Sequence, residues 1–281
     1  MSTLRIKILI AGGTGFIGRY LLQNLLEINL YEIHIIHRKN SNLDFLREVN
    51  NIHLHNVDII NLDRIVKIVK PNIAINLVCS RSKEMYFSNY EFGKLFVDSC
   101  ITNRVNYFVN THSLLKSYRT EYVSTKEKLV KYLKSQQDKI SIINISPELV
   151  LGYHPSENNL TNYLLTQIKS NKKIKIMNGS QKRDFIHISD LTNAYVIILN
   201  NIYEFKNFNQ VDVASGELTT IKNFTELFIK AFCEKNKPEV VFNNEEVYDV
   251  HSNLNLLKSL GWESKMGLEK GISILFNNIK T

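Results

Sequence analysis

The chain has 281 residues, of which 44% are hydrophobic, and it carries a formal net charge of +8 at pH 7. A chain of this length and composition can bury a sizeable core, which excludes a disordered protein and predicts one large domain or two closely packed ones. The lysines are scattered except at Lys172, Lys173 and Lys175. The positive charge therefore favours an anionic small molecule over nucleic acid as the partner.

The apolar segments and the cysteines indicate where the protein resides and which cross-links to expect. No apolar stretch approaches the ~20 residues needed to cross a bilayer, and the N-terminus has no secretory-signal pattern. We therefore expect a soluble, cytoplasmic protein without a membrane partner. The cysteines, Cys79, Cys100 and Cys233, are far apart and form no CxxC pair. This spacing predicts buried free thiols, with neither a disulfide framework nor a metal site.

Apolar runs typical of buried strands alternate with segments of helical period over the first half of the chain. Such an alternation implies βαβ crossovers, and therefore an α/β fold whose doubly wound, Rossmann-type parallel sheet is covered on both faces. Ligands of such sheets bind at the carboxyl ends of the strands. The predicted strands are 6–11, 32–37, 52–56, 72–79, 106–111 and 140–145.

The alternation fades after Pro147, where Gly, Pro and Asn gather in LGYHPSENN. This change predicts a boundary between a first domain, residues 1–150, and a smaller mixed α/β region, residues 151–281. The predicted helices of the second region are 158–170, 190–200 and 220–234, with a further pair near the end.

A glycine-rich turn follows the first predicted strand. Gly12, Gly15 and Gly18 are spaced GxxGxxG, and residues 19–28 after them have the period of an amphipathic helix. Here Gly12 permits a tight turn, Gly15 lets the backbone approach a pyrophosphate, and Gly18 lets the helix pack closely on the strand. The helix N-terminus supplies amide donors and partial positive charge. The segment therefore predicts dinucleotide binding.

The residues after the second predicted strand indicate which dinucleotide binds. An acidic residue there binds the ribose 2′-hydroxyl of NAD, whereas this chain has His37, Arg38 and Lys39 and no acid between Glu32 and Asp44. A guanidinium binds a 2′-phosphate through paired hydrogen bonds, so Arg38 favours NADP(H) over NAD(H). The alternative is that Arg38 is only a solvated loop charge.

The spacing YxxxK occurs twice, at Tyr122–Lys126 in YVSTK and at Tyr90–Lys94 in YEFGK. Tyr122 and Lys126 fall at the start of a predicted helix, after a predicted strand that leads to Ser113. Lys126 lies one turn from Tyr122 and lowers the pKa of the phenol electrostatically, while Ser113 hydrogen-bonds a substrate oxygen. This arrangement predicts proton donation to a carbonyl oxygen as hydride reaches its carbon. Tyr90 is interpreted as an ordinary helix-face tyrosine.

The chain resembles the extended short-chain dehydrogenase/reductases, the NAD-dependent epimerase/dehydratase family that acts on sugar nucleotides. The resemblance rests on GGTGFIG, Asp58, the strand before Ser113, YVSTK, RDFIHISDLTNAY and LGW in this order, and it covers essentially the whole chain. Within the family, FVNTHS, YVSTK and NGSQKRDFIHISDLTNAYVIIL look most like the CDP-abequose synthase group. These nucleotide-sugar 4-ketoreductases supply deoxysugars for bacterial surface polysaccharides, such as the O-antigen of lipopolysaccharide.

The resemblance implies a role for each matching residue. Ser113, Tyr122 and Lys126 are the catalytic residues, of which Tyr122 and Lys126 also contact the cofactor. Ser113 and Arg183 contact the substrate, Arg183 at its diphosphate. A surface salt bridge from Arg183 to a neighbour such as Asp184 is the alternative. The other cofactor-binding residues are Gly12, Gly15, Phe16, Ile17, Gly18 and Arg38, Asp58 and Ile59 at the adenine, and Leu77, Val78 and Cys79 after the fourth strand.

The resemblance also implies a domain arrangement and an assembly. The first domain holds NADP(H), and the smaller region holds the sugar nucleotide. Members of the family usually pair through two helices, which correspond to residues 85–103 and 122–135 here. We therefore expect a homodimer.

Two sequence differences narrow the reaction. A 4,6-dehydratase of this family carries an Asp-Glu pair where this chain has SLLKSYRTEY, and a 3,5-epimerase of the fucose-synthase type carries a cysteine where this chain has Leu114 and Leu115. We therefore expect NADPH-dependent reduction of the C4 ketone of a CDP- or dTDP-linked 6-deoxy or 3,6-dideoxy 4-hexulose. The alternatives are a C4 epimerase that retains NAD, and a non-catalytic dinucleotide-binding regulator.

Overall fold

A computed structural model describes residues 5–47, 49, 51–57, 61–115, 120–153, 159–233, 237–245 and 250–280. The strands are β1 (Ile6–Ala11), β2 (Tyr31–His37), β3 (Ile52–Asn56), β4 (Ile73–Asn76), β5 (Tyr107–Thr111), β6 (Ser141–Pro147), β7 (Leu149–Leu151), β8 (Ile174–Ile176), β9 (Lys182–His187), β10 (Phe208–Val213), β11 (Leu218–Thr220) and β12 (Val240–Phe242). The α-helices are α1 (Phe16–Ile28), α2 (Leu62–Val69), α3 (Phe92–Thr102), α4 (Glu121–Lys134), α5 (Leu160–Lys169), α6 (Ile188–Asn200), α7 (Ile221–Phe232), α8 (Asn255–Ser259) and α9 (Leu268–Lys280).

The predicted doubly wound α/β sheet is confirmed. Seven strands follow the order β10-β6-β5-β4-β1-β2-β3, and each neighbouring pair from β6 through β3 is parallel. The strand order reverses between β1 and β4, which is the topological switch point of a Rossmann-type sheet. The carboxyl ends of β1 and β4 therefore flank the crevice in which such sheets bind ligands.

The sheet is covered on both faces, as its sequence pattern requires. Ile8, Leu9 and Ile10 follow one another in β1 and are all fully buried, although successive side chains of a strand point to opposite faces. A continuous apolar run with this burial is typical of parallel strands packed between two helical layers. The strand predicted at 72–79 ends at Asn76 in the structure. Leu77 N still donates to Ala11 O of β1 at 2.9 Å, but the next amide, Val78 N, turns back to Asn76 Oδ1 at 3.3 Å.

The chain divides into two compact units, one of Met1–Ser146 with Thr192–Val211 and one of Pro147–Leu191 with Asp212–Thr281. In the second unit, β9 pairs in parallel with β7 and antiparallel with β11, and β12 pairs in parallel with β8. Its core contains the stacked rings of Phe185 and Phe224, whose centroids lie 3.9 Å apart. The assignment of residues 1–150 to the cofactor and 151–281 to the substrate stays a prediction.

Among the helices that the structure describes, none has the length and apolar character of a membrane-spanning segment.

Candidate active site

The glycine-rich turn joins β1 to α1 at the switch point. Gly12 has a φ of +82°, and a Cβ added there would lie 2.8 Å from the backbone carbonyl carbon of Leu77. A Cβ added at Gly18 would overlap the carbonyl oxygen of Gly12, which also accepts from Gly15 N at 3.0 Å. Backbone conformation and close approach therefore require glycine at 12 and 18.

Gly15 is less crowded by the protein itself than Gly12 and Gly18 are. Among the described atoms, a Cβ added there would meet only the Gly12 carbonyl oxygen, at 3.3 Å. Gly15 is also the N-cap of α1, whose first turn contains no acidic residue, so amide donors and partial positive charge face outward from this turn. Phe16 is buried and Ile17 is half-buried directly behind it. These features fit the diphosphate of a dinucleotide.

Arg38 lies directly after β2 and is exposed. Its guanidinium approaches Glu84 Oε2 at 3.4 Å, with 79% of the Arg38 side chain accessible, and its backbone N donates to Ser41 Oγ at 3.1 Å. Such an exposed ion pair contributes about 0–1 kcal/mol, so a phosphate group can displace Glu84. The role of Arg38 stays a prediction. Asp58 and Ile59, predicted at the adenine, lie outside the described residues.

The segment after β4 runs from a buried Leu77 through a half-buried Val78 to an exposed Cys79. The prediction of buried thiols is confirmed for Cys100 and is wrong for Cys79. Cys79 is accessible because it has left the sheet at the carboxyl edge, where its Sγ lies 3.5 Å from the hydroxyl of Tyr122.

Helix α4 positions Tyr122 and Lys126. Its N-cap, Thr120, accepts from Val123 N at 3.3 Å, which fixes Tyr122 in the first turn and Lys126 one turn later. The Lys126 side chain is buried, and its Nζ donates to the carbonyl oxygen of Thr111, the last residue of β5, at 2.8 Å. Nζ also lies 5.9 Å from the centroid of the Tyr122 ring. A fixed ammonium at this position favours negative charge on the phenol oxygen.

Arg81 is a contact of Tyr122 that the sequence analysis missed. Its guanidinium carbon lies 4.0 Å from the centroid of the Tyr122 ring, so a second cation stacks on the proposed proton donor. The segment that carries Arg81 is held by Asn89, whose side chain donates to Ser80 O and accepts from Ser80 N, both at 2.8 Å. The sequence feature that could have indicated this contact is the arginine of CSRS, two residues after Cys79.

Ser113 is half-buried two residues beyond the end of β5, and its Oγ accepts from Leu115 N at 3.3 Å. Its neighbour His112 is buried and bonds through Nε2 to Glu127 Oε1 at 2.9 Å. Glu127 follows Lys126 in α4, so the end of β5 is attached to the helix at two consecutive positions. The segment that carries Ser113 is thereby fixed relative to the start of α4.

A row of side-chain amides, which the sequence analysis did not predict, crosses the carboxyl half of the sheet. Asn76 donates to Asn110 at 3.0 Å, Asn110 to Asn144 at 2.7 Å, and Asn144 to Gln210 at 2.8 Å. Gln210 in turn donates to Ser146 Oγ at 2.7 Å. Because each amide both donates and accepts, the row satisfies buried polar groups and ties neighbouring strands together beneath the turn that follows Asn76.

The second YxxxK match does not build the same arrangement. Tyr90 lies in a short π-helical stretch, Phe87–Glu91, and packs against the core. Lys94 pairs with Asp98 Oδ2 at 2.9 Å and lies over the ring of Tyr132. The ammonium is therefore engaged elsewhere, which agrees with Tyr90 as a helix-face tyrosine.

Arg183 lies in β9 of the second unit, where it is buried and paired with the buried carboxylate of Glu148. Burial raises the pKa of Glu148 to about 7, and the Arg183 guanidinium opposes this rise. The alternative partner, Asp184, instead accepts from the backbone amides of Ser215 and Gly216, each at 2.7 Å. The salt-bridge partner of Arg183 is therefore Glu148, and its contact with a substrate diphosphate stays a prediction.

The fold and the site define a Rossmann-type protein whose turn fits a dinucleotide and whose tyrosine and lysine meet at the carboxyl edge of the sheet. Residues 8–214 match the model of the NAD dependent epimerase/dehydratase family, and the chain belongs to this family.

Two CDP-abequose synthases, from Salmonella muenchen and Salmonella typhimurium, are similar over nearly the full length. The first is 24% identical over 95% of this chain and 95% of its own, and the second 25% identical over 99% and 100%. Among solved structures, the UDP-glucuronic acid 4-epimerase from Bacillus cereus in complex with UDP-glucuronic acid and NAD has a TM-score of 0.86. It is 17% identical, with 98% of this chain and 99% of that chain covered.

Proposed function

We propose that this protein is an NADPH-dependent 4-ketoreductase of a nucleoside-diphosphate sugar. The substrate class is a CDP- or dTDP-linked 6-deoxy or 3,6-dideoxy 4-hexulose, and the product serves deoxysugar synthesis for a surface polysaccharide. The observation that carries the proposal is the buried Lys126, fixed to Thr111 O at 2.8 Å, one turn beyond Tyr122. Similarity to two CDP-abequose synthases over nearly the whole chain supports the choice of reaction.

In the proposed reaction NADPH, when bound, supplies hydride to the C4 carbon of the substrate. The Gly12–Gly18 turn and the N-terminus of α1 would hold the cofactor diphosphate, with Arg38 at the 2′-phosphate. Tyr122 donates its phenolic proton to the C4 oxygen, on which negative charge develops. Lys126 and the guanidinium of Arg81 stabilise the phenolate that remains.

Ser113 is the proposed second hydrogen-bond donor to the C4 oxygen, which supports the developing charge. The pair formed by His112 and Glu127 keeps the Ser113 segment in place before substrate arrives. Arg183 is the proposed ligand of the substrate diphosphate, because a guanidinium donates paired N–H groups to phosphate oxygens. Its ion pair with Glu148 holds the plane of the guanidinium fixed.

A C4 epimerase is the second candidate, and the similarity of the fold to a UDP-glucuronic acid 4-epimerase favours it. An epimerase returns the hydride to the same sugar, so it consumes no cofactor overall. The basic Arg38 argues for exchangeable NADPH over retained NAD.

The two candidates are separated by following NADPH absorbance with purified protein and enzymatically prepared CDP- and dTDP-linked 4-keto sugars. A 4-ketoreductase oxidises one NADPH per sugar reduced, and product analysis shows one new C4 alcohol. In parallel, NAD with UDP-glucose or UDP-glucuronic acid tests for epimers. Epimer formation without any reduction of 4-keto sugars contradicts the proposal and establishes the alternative.

A further inference from the structure

Three side chains with metal-ligating atoms converge on one face of the sheet edge. Glu32 and His34 lie in β2, and His53 lies directly beside His34 in the parallel register of β3. One ligand atom from each of the three lies within 4.8 Å of the other two. The rings of His34 and His53 stack with centroids 4.6 Å apart.

The two ring nitrogens of His34 contact different partners, one a carboxylate and the other an imidazole. Nε2 lies 2.9 Å from Glu32 Oε1, and Nδ1 lies 2.9 Å from His55 Nε2. A neutral imidazole carries one proton and one lone pair. When Nδ1 holds the proton and donates it to His55, Nε2 presents its lone pair to a carboxylate oxygen. A cation between Nε2 and Oε1 then satisfies both acceptors.

We propose that Glu32, His34 and His53 form a binding site for a divalent transition-metal ion of the zinc type. Two imidazoles and one carboxylate are a donor set that Zn²⁺ takes in proteins, at ligand distances of about 2.0–2.2 Å. The His53 side chain is exposed, so its ring has room to turn its ligating nitrogen toward the other two ligands. His55 does not ligate; it accepts from Nδ1 of His34 and thereby orients the ligand, as partners of metal-bound histidines do.

A lysine beside the three ligands competes with the metal, and the position of the ligands at the end of the sheet gives the metal a structural role. Lys7 Nζ lies 3.2 Å from Glu32 Oε1, with 38% of the Lys7 side chain exposed, so the ammonium competes with the metal and has room to swing away. β3 is the terminal strand of the sheet. A metal that joins β2 to β3 holds this terminal strand to its neighbour and opposes its separation. The ligands are 19 residues apart in the chain at their nearest cross-strand pair, which is why no short motif announces the site.

The test is Zn²⁺ binding to the full chain after treatment with a chelator, measured by isothermal titration calorimetry, with Co²⁺ absorption as a probe of geometry. We expect one Zn²⁺ per chain. Glu32→Gln and His53→Asn should each weaken binding by tenfold or more, and His55→Asn by about tenfold. Lys7→Met should strengthen binding, because it removes the competing ammonium. His251→Asn is the matched control, since it removes an exposed imidazole elsewhere.

Circular dichroism and thermal unfolding establish that each variant is folded; Glu32 and His53 are accessible side chains, so their loss is compatible with folding. A Zn²⁺ affinity that is the same in wild type, Glu32→Gln and His53→Asn overturns the proposal. The same conclusion follows if wild type binds no Zn²⁺, or if His251→Asn weakens binding as much as His53→Asn does.

Discussion

Replacing Tyr122 by phenylalanine removes the proposed proton donor and little else. The ring that Arg81 stacks on is retained, and the hydroxyl lies at the accessible edge, 3.5 Å from Cys79 Sγ. The backbone of Tyr122 stays anchored, because Thr125 Oγ1 donates to its carbonyl oxygen at 2.9 Å. The variant should therefore fold as the wild type does and isolate the chemical step.

The expected loss follows from the role of a general acid. Positioned proton transfer contributes about 10²- to 10⁴-fold to a rate, and about 1.36 kcal/mol corresponds to each factor of ten. Tyr122→Phe should therefore raise the barrier by about 3–5 kcal/mol, seen as a fall in kcat for NADPH oxidation with a 4-keto sugar nucleotide. The Kd for NADPH should change little. Lys126→Met should lower both kcat and cofactor affinity, since Lys126 is expected to contact the cofactor as well as to stabilise the phenolate. Ser113→Ala should give an intermediate loss.

Tyr90→Phe provides the control, since Tyr90 occupies the same YxxxK spacing while its lysine pairs with Asp98. It should retain wild-type kcat. Loss of activity in Tyr90→Phe together with full activity in Tyr122→Phe would refute the assignment of Tyr122 as the proton donor. The same result would refute the proposed roles of Lys126 and Ser113.

Three further outcomes are expected. Arg38→Asp should narrow or reverse a preference for NADPH over NADH in fluorescence titration, because a lost charge-assisted phosphate contact costs about 1.5–3 kcal/mol; equal wild-type affinities would contradict the prediction. Since the pKa of Glu148 is raised to about 7, the folded protein holds a proton that the unfolded chain releases near pH 4.5. The free energy of urea unfolding of wild type, relative to that of Glu148→Gln, should then fall as the pH rises from 5 to 8. A difference between the two proteins that does not change with pH would contradict this prediction. Light scattering should report about twice the 32.6 kDa chain mass. Leu95 is an exposed apolar residue of α3, a helix of the expected dimer contact, so Leu95→Asp should shift the mass toward that of a monomer; a monomeric wild type would contradict the dimer prediction.

Local patterns predicted the parts of the site that lie within one stretch of chain. The apolar run of β1, the three glycines and the start of α1 follow one another directly, so their periods and spacings predict both the turn and its position. The same holds for Tyr122 and Lys126, which share one helix. Each of these features depends on the conformation of neighbouring residues, which propensity and glycine geometry constrain strongly.

The features that the sequence analysis missed depend on contacts across strands or between segments. Asn76, Asn110 and Asn144 form one row only because β4, β5 and β6 are parallel and in that register. The convergence of His34 and His53 has the same origin. A shift of register by one residue would place these side chains on opposite faces, and no short motif fixes register. The exposure of Cys79 likewise follows from where β4 ends, which its apolar sequence obscures.

The contacts around Asn89 connect the segment after β4, which carries Arg81, with helix α4, which carries Tyr122. Its side-chain amide bonds to both backbone groups of Ser80 and also donates to Thr125 Oγ1 at 3.4 Å. The segment that carries Cys79 and Arg81 is thereby linked to the helix that carries Tyr122. Thr125 in turn donates to the Tyr122 carbonyl oxygen, so one continuous hydrogen-bonded path joins the Ser80 backbone, next to Arg81, to the backbone of Tyr122. Because these partners are backbone groups and buried side chains, the backbone beside the exposed Arg81 is held relative to α4 before any ligand binds. This supports the proposal that charge around the phenol is preorganised.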